Sequence, residues 1–434
     1  MGWEVIFWNA TPFDLQELGY KEIKLEGRPR PKTDIFKRAK ITAELDHFTK
    51  KFNDPVYQTY KFHSPGKSFK EKIKNLLVSH YTFYNGSENG LQRLRKGMEA
   101  SERKGNYYRN CKEVLKREKP DFIFCTNQRP VIAIAPLTAA KDLGIKTGTF
   151  IFSWDNLPKA TMVVKPDHYF VWSEHMQREL LKYYPFIRQD QIRITGSPQF
   201  EPHSDTELTK TREDFFRENG LDKDKEYICF SGDDVTTSPD DPDYLKGVAR
   251  AVEMLNRRNY NLGIIFRKNP VDHSARYDRV LKEYEDLIFP LDPRWKAHGD
   301  GWNSILPSKE DLELQINTIL HTKAVINLGS SMVFDYVAFD KPCLFLNYDA
   351  EEKKDESWFV DKVYDFIHFR SMPSKKAVFW LNSKDEIPEK LKYALSATTE
   401  DLEETKKWFQ KINVHPPHEA SERIWKEIEN IVVK

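Results

Sequence analysis

The segment from Ala324 to Tyr348 constrains this chain more than any other. AVIN (Ala324 to Asn327) reads as a short buried strand, Leu328-Gly329-Ser330-Ser331 as a turn and MVFDYVAF (Met332 to Phe339) as a helix. Asp340-Lys341-Pro342 closes that helix and CLFLNY (Cys343 to Tyr348) is the next strand. Strand, small-residue turn, helix, strand is half of a doubly wound α/β unit, and its turn lies at the carboxyl end of a strand, where such sheets bind ligands. Gly329, Ser330 and Ser331 let a phosphate approach the backbone N–H groups of the helix start, where the helix dipole also favours an anion. Asp335, one turn in, is placed to hydrogen-bond ribose or sugar hydroxyls. The pattern implies a nucleotide-linked ligand; a Gly-Ser turn between two buried elements is the structural alternative.

A chain of 434 residues exceeds one ordinary core and suggests two domains. Lys plus Arg number 68 against 67 Asp plus Glu, so net charge gives no sign of a nucleic-acid partner. The distribution is uneven: residues 1–119 carry about ten more basic than acidic side chains. Such a half suits an anionic acceptor, for example a lipid-linked sugar phosphate, or a membrane surface; solvated helix faces account for it equally well. The four cysteines, Cys111, Cys125, Cys229 and Cys343, lack zinc or redox spacing, and the last three sit in apolar strand-like runs. Buried free thiols of this kind fit a reducing compartment. The longest apolar stretch, Val131 to Ala140, is about half a bilayer span. With no signal peptide at the start, the expected location is the cytoplasm, with contact to the inner face of a membrane left open.

Along the chain, WEVIFWN (Trp3 to Asn9) and KEIKL (Lys21 to Leu25) read as strands. Residues 32–119 read as largely helical, with breaks at Asp54-Pro55, Ser64-Pro65-Gly66 and Asn85-Gly86. Strands then alternate with helices: DFIFCTN (Asp121 to Asn127), KTGTFIF (Lys146 to Phe152), HYFVWS (His168 to Ser173) and IRITGSP (Ile192 to Pro198). Pro198 to Thr209 is polar and unpatterned and is the expected linker between domains 1–200 and 201–434. EYICFSG (Glu226 to Gly232), LGIIFR (Leu262 to Arg267) and Leu287 to Leu291 continue the series, and Glu386 to Lys434 reads as three helical pieces. The regular alternation predicts parallel sheets covered on both faces, in two doubly wound Rossmann-like domains facing across a cleft. The opening strand looks like a second strand, so either a first strand–helix unit is missing or the sheet starts here.

Four stretches now resemble the GT-B superfamily of nucleotide-sugar glycosyltransferases: SWDNLPK (Ser153 to Lys159), HYFVWSEHMQRE (His168 to Glu179) with RITGSPQFE (Arg193 to Glu201), FRKNPVDHSARYDRV (Phe266 to Val280) and INLGSSMVFDYVAFDKPCLFLNYD (Ile326 to Asp349). The nearer likeness is to bacterial capsule and surface-polysaccharide enzymes and to CDP-glycerol glycerophosphotransferase-like proteins. UDP-N-acetylglucosamine 2-epimerases share the architecture. The resemblance implies a carboxyl-terminal domain that holds the nucleotide donor. FSGDD (Phe230 to Asp234), with Gly232 and Asp233, would be the loop after its first strand. Arg267 and Lys268 would face donor phosphates, arginine being the better clamp because its planar fork binds bidentately. Asn327 stands near where retaining relatives carry a first acid, which favours an inverting transfer. That reaction needs a base from the amino-terminal domain. Asp155 is the first candidate, with Glu174 and His175 after it; Glu174 also complements the helix dipole.

The expected activity is transfer of a sugar from a nucleotide-sugar donor to a cell-surface glycan or lipid-linked acceptor, inverting and metal-independent, with no cofactor beyond the donor. The alternatives are a nucleotide-sugar 2-epimerase, a CDP-alditol phosphotransferase and a non-catalytic glycan-binding protein. GDDVTTSPDDPD (Gly232 to Asp243) is rich in carboxylates that could hold Mg²⁺, but a hydrogen-bonded loop explains the same composition. Trp295 and Trp302 suggest an ordered aromatic loop. His415 and His418 have no metal-like partners, and no P-loop or dinucleotide glycine motif occurs.

Overall fold

The computed structural model describes residues 2–61, 68–297 and 305–433. Trp302 and the Ser64-Pro65-Gly66 break lie outside the described residues. In chain order the elements are β1 (Phe7–Asn9), β2 (Glu22–Lys24), α1 (Pro31–Phe52), α2 (Phe69–Tyr84), α3 (Glu88–Glu102), α4 (Asn106–Glu118), β3 (Phe122–Cys125), α5 (Ile134–Asp142), β4 (Lys146–Phe150), β5 (His168–Val171), α6 (Glu174–Tyr183) and β6 (Ile192–Ile194). There follow α7 (Arg212–Glu218), β7 (Glu226–Ser231), α8 (Asp241–Asn256), β8 (Leu262–Arg267), α9 (Asp278–Glu283), β9 (Ile288–Pro290), β10 (Lys296–Ala297), β11 (Ile305–Leu306), α10 (Lys309–His321), β12 (Thr322–Asn327), α11 (Met332–Val337) and β13 (Cys343–Leu346). The chain ends with α12 (Asp361–Tyr364), β14 (Phe379–Leu381), α13 (Ile387–Leu395), α14 (Glu403–Ile412) and α15 (Ala420–Val433).

These elements form two compact units, the first Met1–Ser197 with Ile412–Lys434 and the second Pro198–Lys411. The first boundary falls three residues from the expected one. The second differs in kind, because the terminal segment expected in the second domain groups with the first. Specific contacts hold it there. Arg423 Nε donates to the Thr195 carbonyl at 2.7 Å, Lys146 Nζ to the Ile431 carbonyl at 2.7 Å, and Arg193 pairs with Glu427 at 3.0 Å. Ile424, Ile428 and Ile431, at helical spacing, are the buried apolar face of α15.

In unit 1, β3, β4, β5 and β6 pair in parallel and in chain order, while β1 and β2 pair in parallel as a separate two-stranded sheet. The opening strand therefore does not join the four-stranded sheet; its Trp8 instead joins the core where α4 meets α5. There Tyr107, Cys111 and Leu115 pack on Ala135, Ala139 and Ala140, whose small side chains let the helices approach.

In unit 2 the six strands of the main sheet are parallel in the order β14-β13-β12-β7-β8-β9, and β10 and β11 pair antiparallel as a separate two-stranded sheet. From β7 the chain moves outward through β8 to β9, returns to the other side of β7 at β12 and moves outward again. This is the order that brings two loops together at a reversal between the first and fourth strands. Strand residues alternate between faces: Tyr227 and Ile265 pack with Phe215 and Phe216 of α7 and Leu314 of α10. The expected linker forms two 3-10 helices (Pro198–Ser204 and Thr206–Leu208) that bury Phe200 and Leu208.

Candidate functional site

The reversal in unit 2 places the loop after β7 beside the loop after β12, since β7 and β12 are neighbours with Phe230 opposite Ile326. Sequence dictates both turns. After β12 the chain must reverse into α11, and Gly329 does so with φ +68°. A Cβ there would stand 2.9 Å from Phe369 Cζ and 3.1 Å from Val363 Cγ1, so both conformation and space exclude a side chain. After β7, a Cβ on Gly232 would meet the Phe266 ring and the Tyr277 hydroxyl, each at 3.0 Å.

The Gly232–Asp243 loop is fastened from all sides. Asp241, buried at the start of α8, accepts from the Tyr277 hydroxyl at 2.6 Å, the Ser238 hydroxyl at 2.8 Å and the Asp233 amide at 3.0 Å. Asp234 accepts from the Thr236 and Thr237 amides at 2.8 and 3.1 Å. The Arg276 guanidinium donates to the Ser238 and Asp233 carbonyls and to Asp272. The carboxylates thus serve the loop, and among the described residues no His, Cys, Asp and Glu cluster suited to a metal occurs. Asp233 is the exception in behaviour. Burial, then the charges of Asp241 and Asp234, push its carboxyl up to about 8, so it holds a proton near neutral pH. The Asp233 carboxyl also lies within electrostatic reach of Tyr364, whose ring lies 3.4 Å from the Cβ position of Gly329. Gly232, Asp233 and Gly329 therefore share one neighbourhood.

The other expected donor residues are more committed to the protein than their sequence suggests. Arg267, at the end of β8 and opposite Ser231, reaches both Asp311 carboxylate oxygens at 3.2 and 3.3 Å. Asp311 also receives the Arg294 amide and the Trp295 indole N–H, each at 2.7 Å, so Trp295 is tied to the start of α10. Arg267 Nη1 is buried without a hydrogen-bond partner, which leaves one prong of the fork for an anion. Lys268 donates to the Ser274 carbonyl at 2.7 Å. The Ser330 amide is taken by the Asn327 side chain at 2.8 Å and the Met332 amide by Ser330 Oγ at 3.3 Å. Two of the N–H groups expected to meet phosphate are thus already used, and Ser331 follows Ser330 without a side-chain cap of its own. Asp335 is buried against His203, whose Nε2 lies 3.0 Å from its carboxylate. His203 comes from the segment read as linker, and nothing in its local sequence marked it.

In unit 1 the three candidate bases lie on two elements, Asp155 in the loop after β4 and Glu174 with His175 at the start of α6. Asn156 Nδ2 donates to Asp155 at 2.9 Å and Lys159 pairs with it. That loop is anchored from below: Gln128 holds Asn156 at 3.2 Å and the Phe152 amide at 3.0 Å. Lys40 of α1, fully buried, donates to the Ala160 and Met162 carbonyls at 3.0 and 2.5 Å. Burial, partly opposed by Glu44 at 2.5 Å, lowers the Lys40 ammonium to about 8. Glu174 is 77% exposed at the start of α6 and spans one turn to Arg178 at 3.5 Å. His175 makes the same kind of pair with Glu179 at 3.7 Å. Asp155 is thus the half-buried, positioned acid of the three, while Glu174 sits as a helix-start carboxylate should.

Against known proteins, no family model matches the sequence, and no curated protein matches it. Solved structures do share its fold. A putative UDP-N-acetylglucosamine 2-epimerase from Listeria monocytogenes superposes with a TM-score of 0.50 at 14% identity, covering 78% of this chain and 80% of that one. The chain has the GT-B fold. A UDP-GlcNAc 2-epimerase from Methanocaldococcus jannaschii (TM-score 0.48, 14% identity, 79% and 83% covered) and a glycosyltransferase from Rickettsia africae (0.44, 12%, 90% and 94%) also superpose. Identities this low speak for fold alone.

Proposed function

We propose that this GT-B chain is a glycosyltransferase that moves a sugar from a nucleotide donor to a surface-glycan or lipid-linked acceptor, inverting and without metal. The observation that carries the reading is the strand reversal of unit 2, with two glycine-dependent loops and the end of β8 converging on it. In this reading Gly232, Gly329, Ser330 and Ser331 give the donor close access to backbone. Arg267, through its unpartnered Nη1, meets the donor phosphate with Lys268 beside it, and Asp335, held by His203, lies near the ribose. Asp155 deprotonates the acceptor hydroxyl after releasing Lys159, with Glu174 and His175 as weaker candidates. A departing nucleoside diphosphate gains negative charge, and donors already fixed in place stabilise it without reorganising.

Asp233 favours one second reading. A carboxyl titrating near neutrality inside the donor unit is what acid–base chemistry confined to the donor would use, as in epimerisation of the sugar. Incubating the protein with nucleotide sugars, with and without glycan and lipid-linked acceptors, separates the two. The transferase reading expects nucleoside diphosphate release that depends on acceptor and disappears in Asp155→Asn. Conversion of the donor sugar with no acceptor present, lost in Asp233→Asn, would replace it with the epimerase reading.

A further inference from the structure

Helix α2 is built inside out. A surface helix normally turns its apolar stripe to the core, yet among the sixteen residues of Phe69–Tyr84 none is buried. Its largest apolar side chains are its most exposed: Phe69 at 80%, Leu76 at 71% and Phe83 at 81%, with Ile73, Leu77 and Tyr84 also exposed. At 3.6 residues per turn these six fall on one side of the helix. The opposite side holds the helix against α1. The Tyr81 ring meets Phe36 edge-on at 4.9 Å, Lys74 pairs with Asp34, and Thr82 Oγ1 donates to the Ala39 carbonyl at 3.4 Å. The helix is nonetheless well formed: Ser68 and Glu71 cap it reciprocally at 3.2 and 3.1 Å.

We propose that α2 lies flat on an anionic lipid surface, with Phe69, Leu76 and Phe83 entering the boundary between headgroups and acyl chains. Charge selects this occupant. Lys70 and Lys72 border the apolar side, one on each flank, where their stems reach outward and their ammonium groups meet lipid phosphates. The surplus of about ten basic side chains in residues 1–119 adds a field of the same sign. Sixteen residues with lysines and a histidine interspersed lie on a bilayer rather than span it, and among the described residues no helix is long and apolar enough to cross one. The inference is independent of the transferase reading: a chain without turnover would still bind.

Co-sedimentation with vesicles of phosphatidylcholine mixed with phosphatidylglycerol tests it, against vesicles of phosphatidylcholine alone. Binding is expected to the anionic vesicles, to weaken with salt, and to fall at least about tenfold in Phe69→Ser/Leu76→Ser/Phe83→Ser and in Lys70→Glu/Lys72→Glu. These side chains are exposed, so the thermal midpoint of each variant stays that of wild type. In Phe83→Trp the indole emission shifts to the blue on adding anionic vesicles. Wild type that stays in the supernatant, a triple serine variant that binds as well as wild type, or an unshifted indole overturns the proposal. So does a dimer in the absence of vesicles that the serine variant abolishes, since a second copy would then be the occupant.

Discussion

At the scale of single residues, the account turns on Gly329 and Asp233. Gly329 combines a left-handed backbone with a filled space where its Cβ would be, whereas Gly220, with φ +64°, has nothing within 4 Å of that position. Gly220→Ala should therefore cost only the backbone term, about 1 kcal/mol, and Gly329→Ala more, about 2–4 kcal/mol, as Phe369 and Val363 are displaced. Urea denaturation of both variants measures the difference, and equal losses would refute the packing argument. For Asp233 the sign follows from its raised carboxyl. Between about pH 4 and pH 8 the folded state keeps a proton that the unfolded chain has released, so stability falls as pH rises through that window. Asp233→Asn, neutral throughout, should flatten this slope and at pH 8 exceed wild type by at least about 1.4 kcal/mol, the worth of one pKa unit. Asp241, raised in the same direction, leaves a residual slope. Denaturation curves across this range that superpose for wild type and variant would show that Asp233 is not held protonated.

At the scale of elements, strands were the legible part. Glu226–Ser231, Leu262–Arg267 and Cys343–Leu346 stand where continuous apolar runs between turns put them, because a strand buried on both faces advertises itself. Helices α7 and α10 were not foreseen: α7 is short, with Phe215 and Phe216 its apolar residues, and the core residues of α10, Leu314, Ile316 and Ile319, are spaced among polar ones. Helix α15 was legible as a helix but not in its destination. An isoleucine stripe shows that a face is buried, not which neighbour buries it. Removing residues 413–434 should accordingly loosen unit 1. Hydrogen exchange in β5 and β6 is expected to accelerate at least about tenfold, with β7, β8 and β12 unchanged. Faster exchange in unit 2 instead would restore the division at residue 200. The candidate site was legible in the same uneven way. Turns announced Gly232 and Gly329, but the partners that engage Arg267 and Asp335, and the lysine that anchors the end of the Asp155 loop, could not be read. Asp311 and His203 are distant in sequence from the residues they meet, and Lys40 looks like one more solvated lysine in a charged helix.

At the scale of the whole molecule, the chain passes between two α/β units twice, at Ser197–Pro198 and at Lys411–Ile412. The central claim is that the strand reversal of unit 2 is where a nucleotide binds. Hydrogen–deuterium exchange with UDP, GDP, CDP and TDP, each present in large excess, tests it most directly. At a hundred times its Kd a ligand adds about 2.7 kcal/mol to the folded state, enough to slow exchange wherever its contacts fall. The account predicts that one of these nucleotides protects 231–234, 267–268 and 329–331 together, and that Ser331→Ala/Arg267→Ala removes the protection. Protection confined to unit 1, or none from any nucleotide, would contradict it.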